Sequence, residues 1–170
     1  MAIREIALVP EQVLRRKAHK VTDFGAETQQ FIDDMIETMR EAPGVGLAAP
    51  QVFESMQLVV VEYAEEEKEE AKAKLYVVAN PEIVKRSDEM VMAVEACLSI
   101  PGLVGEVERN EAIEIKGLNR MGKPIKIKAS GWLARIFQHE IDHLDGILYT
   151  DRAERVWQPK DEEEFADADV

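Results

Sequence analysis

His139-Glu140-Ile141-Asp142-His143 lies near the end of a long apolar-periodic segment that begins at Trp132. On a helix turning about 100° per residue, the two histidines fall roughly 40° apart on one face, with Glu140 roughly 60° beyond the nearer of them. Two imidazoles so placed can share one metal ion, while the carboxylate reaches a water on that ion without being a ligand itself. The stripe Trp132, Leu133, Ile136 and Phe137 places the histidines on the buried side, where a metal site is shielded from bulk water. A polar helix can also carry this spacing with no metal attached, so the motif by itself sets the helix and leaves its chemistry open.

Outward from that helix the chain reads mostly as strand. Ala129-Ser130-Gly131 leads into it, with Ser130 as the expected N-cap, and Leu144-Asp145-Gly146 closes it, after which Ile147 to Tyr149 can rejoin a sheet. Upstream, residues 103–130 alternate (Ala112, Ile113, Ile115, then Ile125 and Ile127) on either side of a turn at Asn119 to Lys123. Leu58 to Tyr63 and Leu75 to Val78 are β-branched and read as buried strands. Asn80-Pro81 marks a turn or bulge, with more strand to Arg86 and an apolar run from Met90 to Val94. The charged stretch 64–74 between the first two strands has no apolar period and reads as an exposed hairpin loop or short solvated helix. Before the strands, Phe31, Ile32, Met35, Ile36 and Met39 predict an amphipathic helix over about 26–41, stopped by Pro43 and Gly44. A brief helix is expected over Glu11 to Lys17, and His19, in a polar stretch, is read as a surface residue. Helices, then many strands, then one buried helix predict an α+β fold with largely antiparallel sheets wrapped around a central C-terminal helix.

The totals agree with one such unit. A chain of 170 residues with 46% apolar side chains can bury one proper core and is short for two. The expected division is a single catalytic domain over residues 1–150 and an acidic, flexible tail over 151–170. No basic-flanked apolar leader and no apolar run near eighteen residues is found, and the single cysteine, Cys97, cannot form an internal disulfide, so a reducing cytoplasmic location is expected. A net charge of −13 argues against a nucleic-acid surface, which demands clustered Lys and Arg. Six of the acidic side chains fall in residues 161–170, leaving 28 acidic against 21 basic residues, or −7, for residues 1–160. A solvated end is the simplest account of that tail.

A hydrolytic metal site needs a third protein ligand and an open position for water. The familiar zinc-protease positions are poor here: residue 149 is Tyr, and Glu162, Glu163 and Glu164 belong to the acidic tail. Cys97 is the one soft ligand in the chain and sits at the end of an apparent strand, although a buried cysteine can equally be structural. Gly44-Val45-Gly46-Leu47-Ala48-Ala49-Pro50-Gln51 is a run of small residues that could let an extended peptide approach the backbone, or could be a tight connection between helix and sheet.

Three stretches together carry a resemblance. Gly44 to Gln51, Glu95-Ala96-Cys97-Leu98-Ser99 and His139 to His143 resemble, in order and spacing, the three motifs of the peptide deformylases, over roughly residues 1–150. The resemblance implies an enzyme that removes the formyl group from the N-terminal formylmethionine of new polypeptides. It implies that Cys97, His139 and His143 bind one divalent metal, Fe²⁺ in the cell with Zn²⁺, Ni²⁺ or Co²⁺ also compatible, and that Glu140 is the general acid and base. It further places the Gln51 side-chain amide and the Leu98 backbone N–H at the developing oxyanion. Backbone groups of Val45, Gly46 and Ala96 would face the peptide, and Val45, Trp132, Ile136 and His139 would line the methionine pocket. Ribosome-borne nascent chains would be the partners, with neither nucleic acid nor membrane involved. The family usually has Gly where Ala96 stands, and an aromatic followed by Arg where Leu103-Val104 stands, which bears on substrate preference. Arg109 matches a family position and is expected to pair with Glu95 behind the cysteine. Two other readings compete: a metallopeptidase using the helix motif alone, which would keep its metal in Cys97→Ser, and an impaired relative that only binds nascent chains.

Overall fold

Strand β2 (Leu58–Tyr63) shows how the molecule is assembled. Side chains along a strand alternate between faces, and both faces of β2 are apolar. Val59 and Val61 join a buried cluster with Leu133, Ile136, Phe137 and Ile141 of helix α2 (Gly131–Leu144). Leu58 and Val60 join a second cluster with Phe31, Ile32, Met35 and Met39 of helix α1 (Ala26–Glu41). The sheet is therefore covered by a helix on each side, which the expectation of one central helix did not include. Each such fully buried side chain contributes about 1.5–3 kcal/mol of transfer free energy.

The computed structural model describes residues 2–64, 72–160 and 168. The charged stretch read as a hairpin loop falls largely outside them. Strand β1 (Gly46–Ala48), β2, β3 (Lys74–Arg86), β6 (Ala112–Leu118) and β7 (Pro124–Ser130) form a five-stranded antiparallel sheet in the order β1-β2-β3-β6-β7. The strands β4 (Met90–Cys97), β5 (Ile100–Asn110) and β8 (Arg155–Trp157) form a second, three-stranded antiparallel sheet in the order β4-β5-β8. A third cluster joins that sheet to the N-terminal segment through Ala7, Val13, Leu14, Ile100 and Val107. Among the described residues β1 and β4 are sheet edges, and both carry residues of the predicted site.

Local departures from the sequence reading have physical causes. Asn80-Pro81 does not break β3; the strand bulges there, with register shifts at Ala79/Glu82 and Ile83/Lys85. Asn80 takes φ 51°, tolerable for Asn, and its side chain clasps Val21 through both the backbone N–H and the carbonyl. The segment expected as a helix over Glu11 to Lys17 is only a 3₁₀ turn at Gln12–Arg15. Ser130 occupies the N-cap position of α2, but its side chain makes no capping hydrogen bond; it is still paired in β7, and Gly131 at φ 61° turns the chain from strand to helix. Ile147 to Tyr149 do not rejoin a sheet: Tyr149–Arg152 form a short helix, α3. Of the stretch read as tail, residues 155–157 are folded as β8 on the edge of β5. No helix among the described residues is long and apolar enough to cross a membrane.

Candidate metal centre

Helix α2 is buried from Leu133 to Leu144, so its polar groups need partners from the protein, and all but Glu140 Oε2 and His143 Nδ1 have one. Its apolar side faces the large sheet. The other side, bearing Arg135, His139, Asp142 and His143, faces the small sheet, where β4 brings up Glu95 and Cys97.

Glu95 is fully buried and is the centre of an ionic cluster. Arg109 donates to both of its oxygens, Nε to Oε2 at 2.9 Å and Nη2 to Oε1 at 2.9 Å. The Arg135 Nη1 donates to Oε2 at 2.6 Å, and His139 Nδ1 lies 2.9 Å from Oε1. Arg109 continues to Asp142 (Nη1 to Oδ2, 2.6 Å), which also takes Nε and Nη2 of Arg152 at 2.6 and 3.0 Å. Burial alone would raise the Glu95 pKa; the hydrogen bonds from His139 and Arg109 outweigh it and hold the carboxyl well below the usual carboxylate range. The expected pairing of Arg109 with Glu95 is thus present. Because Glu95 accepts at Nδ1, the other nitrogen of His139, Nε2, is left to face outward as a ligand.

There the three predicted ligands meet. Cys97, His139 and His143 are buried, and one ligating atom of each lies within 4.8 Å of the others. Cys97 Sγ is 3.4 Å from His143 Nε2. One thiolate and two imidazoles suit a borderline divalent cation, and three ligands leave a position open. Burial and His139 keep His143 neutral, pushing its pKa well below the usual histidine value, as a ligand requires.

Glu140 stands beside this triad in a different condition. It is 1% exposed, yet its Oε2 has no hydrogen-bond partner among the protein atoms. Burial pushes its pKa up to about 7. The carboxylate lies against β1: a Cβ placed on Gly46 would come within 2.8 Å of Glu140 Oε1, so a larger residue there would have to push the Glu140 side chain out of its place. The small-residue run is therefore a strand edge, β1, followed by a 3₁₀ turn at Ala49–Val52 that delivers Gln51. Gln51 accepts the Ala48 N–H at 3.0 Å and directs its amide to Ser99 Oγ at 3.1 Å and Cys97 Sγ at 3.6 Å.

The remaining predicted residues are more dispersed. Val45 and Trp132 pack, half-buried, against the cluster containing Ile136. The Val45 carbonyl is already taken by the Glu62 N–H at 2.9 Å. Leu98 is half-buried against the α1 cluster. The Ala96 N–H donates to the Ala168 carbonyl at 3.0 Å. Sequence reading missed Arg135, Asp142 and Arg152; the available signal was a pair of charges inside an otherwise apolar-periodic helix, where they must be buried.

The polypeptide deformylase family profile matches residues 3–158. A peptide deformylase of Symbiobacterium thermophilum is 51% identical over 172 residues, covering 100% of this chain and 76% of that protein. The crystal structure of the Thermus thermophilus peptide deformylase superposes with a TM-score of 0.80 at 46% identity, over 88% of this chain and 85% of that one. A Met-Ala-Ser-bound class I type b peptide deformylase from Acinetobacter baumannii gives 0.82 at 36%, over 89% and 98%. With its fold, its motif order and a likeness that runs through the whole catalytic helix, this chain belongs to the peptide deformylase family and is an enzyme of that family.

Proposed function

We propose that this chain is a metal-dependent hydrolase that removes the formyl group from the N-terminal formylmethionine of nascent polypeptides, with release of formate. The observation that carries the reading is the unpartnered Oε2 of buried Glu140 beside three converging ligand atoms. A buried carboxylate oxygen left without a donor is costly unless something outside the chain supplies one.

Cys97, His139 and His143 would hold the cation, Fe²⁺ in the cell, with Zn²⁺, Ni²⁺ or Co²⁺ compatible with the same ligands. When bound, the cation supplies Lewis acidity, polarising the formyl carbonyl and acidifying water toward neutral pH. Glu140 takes the proton from the attacking water at Oε2 and returns it to the departing amine nitrogen; its elevated pKa suits both transfers. The Gln51 amide and the Leu98 N–H donate to the oxygen on which charge develops. Peptide backbone pairs with Gly46 along the outer edge of β1 and with Ala96 on β4, whose N–H must first leave the Ala168 carbonyl, while Val45, its carbonyl already held by the Glu62 N–H, offers its side chain with Trp132, Ile136 and His139 to the methionine. The relative from Acinetobacter holds Met-Ala-Ser, a peptide of the kind that deformylation would leave. A cytoplasmic location and ribosome-borne nascent chains as substrates belong to the same proposal, supported by the lone, unbridged cysteine and the family's reaction.

The test is formate release from a formyl-Met-Ala-Ser peptide by the metal-loaded chain. Steady formate production is expected, with a fall of about 10²–10⁴-fold in Glu140→Ala. No formate from metal-loaded wild-type chain would overturn the proposal.

A further inference from the structure

The described residues include one from the far end of the chain, and it sits in an unexpected place. Ala168 is fully buried, and its carbonyl accepts the Ala96 N–H at 3.0 Å. Ala96 belongs to β4, whose other edge is taken by β5, so this amide lies on the strand's free side. It also precedes the ligand Cys97 directly in sequence. A free strand edge presents unpaired N–H and C=O groups that an extended segment can satisfy. Here the group that satisfies one of them is the carbonyl of Ala168, a residue within the stretch that composition alone marked as a solvated acidic end.

We infer that Ala168 is a built-in occupant of the edge of β4 that an incoming peptide must displace. This rests on the proposed role of Ala96 in receiving substrate backbone. A tethered occupant competes at a high effective concentration without tight intrinsic affinity, so one hydrogen bond suffices for a modest effect. The occupant weakens apparent substrate binding and leaves the chemical step alone, because no residue of the metal centre is altered by its departure.

The experiment uses the full-length, metal-loaded chain and its Ala168→Arg variant, since a long charged side chain cannot occupy a fully buried position. Hydrogen exchange at the Ala96 amide, followed by NMR, is the primary readout. Protection at least about tenfold greater in wild type than in Ala168→Arg, and unchanged on dilution of the protein, is expected. Equal exchange in the two chains overturns the inference, and protection that falls on dilution overturns it as well, because the occupant would then be a second copy's tail. With formyl-Met-Ala-Ser, KM should fall roughly 2- to 10-fold in the variant with kcat retained, the range spanned by one net backbone hydrogen bond. An unchanged KM would contradict the competition. Absence of formate release from both chains would count against the deformylase reading, while the exchange comparison would still decide whether the tail occupies β4.

Discussion

Glu95 and Glu140 are both buried carboxylates beside the same pair of histidines, and they are held in opposite ways. Behind the histidines, Glu95 is saturated by Arg109, Arg135 and His139, and its charge is locked. In front, Glu140 retains an oxygen with no protein partner and a pKa of about 7. The same residue type is therefore locked as a charge on one side and, on the other, left in the state that the proposed proton transfer requires. Environment decides which: donors converge on Glu95 from β5 and α2, whereas Glu140, next in sequence to His139, packs against the glycine at position 46, which has no side chain to offer it. A side chain that must move a proton has to be left unfinished by its own fold.

Substitutions on the two sides should separate cleanly. On the back, Arg109→Ala leaves Glu95 and Asp142 each short of a buried cation, and should lower stability by about 3–5 kcal/mol in denaturant unfolding. It should also weaken metal binding about 10–100-fold, because His139 loses part of its support. A chain with unaltered stability and metal content would erase the distinction between the two sides. On the front, Gln51→Glu keeps the acceptor for the Ala48 N–H and removes the amide donor. It should lower kcat/KM by about 10²–10³-fold with the fold and bound metal retained; unchanged kcat/KM in steady-state formate assays would remove Gln51 from the reaction.

Much of the front was legible in the sequence because its residues cluster in short motifs. His139, Glu140 and His143 are fixed by helical spacing, and the fold class followed from the order of elements, with the β-branched run at 58–63 and the alternation in residues 103–130 read as strands. Cys97 and Gln51 gained roles only through resemblance, since spacing does not say which distant strand meets a helix. The back was mostly hidden. Arg135 and Asp142 act through partners on β5 and β4, and Arg152 from the end of a short helix, at a position the sequence reading assigned to the flexible tail. Helix α1 covering the second face of the sheet was missed because amphipathicity gives a buried stripe without naming what it packs on. Ala168 was beyond reach for the same reason: composition reports the charge of a tail, and not the one small residue within it that is buried.

The most direct test of the account is the metal stoichiometry of three chains loaded anaerobically with Fe²⁺ and freed of excess ion: wild type, Glu140→Gln and Cys97→Ala. One equivalent per chain is predicted for wild type and for Glu140→Gln, since the proposed ligand set is Cys97, His139 and His143 and does not include Glu140. Affinity in Cys97→Ala should fall by more than about 100-fold, as losing a residue that merely orients a ligand already costs about 10–100-fold. One equivalent held by Cys97→Ala with wild-type affinity would contradict the three-ligand centre on which the whole reading of this helix depends.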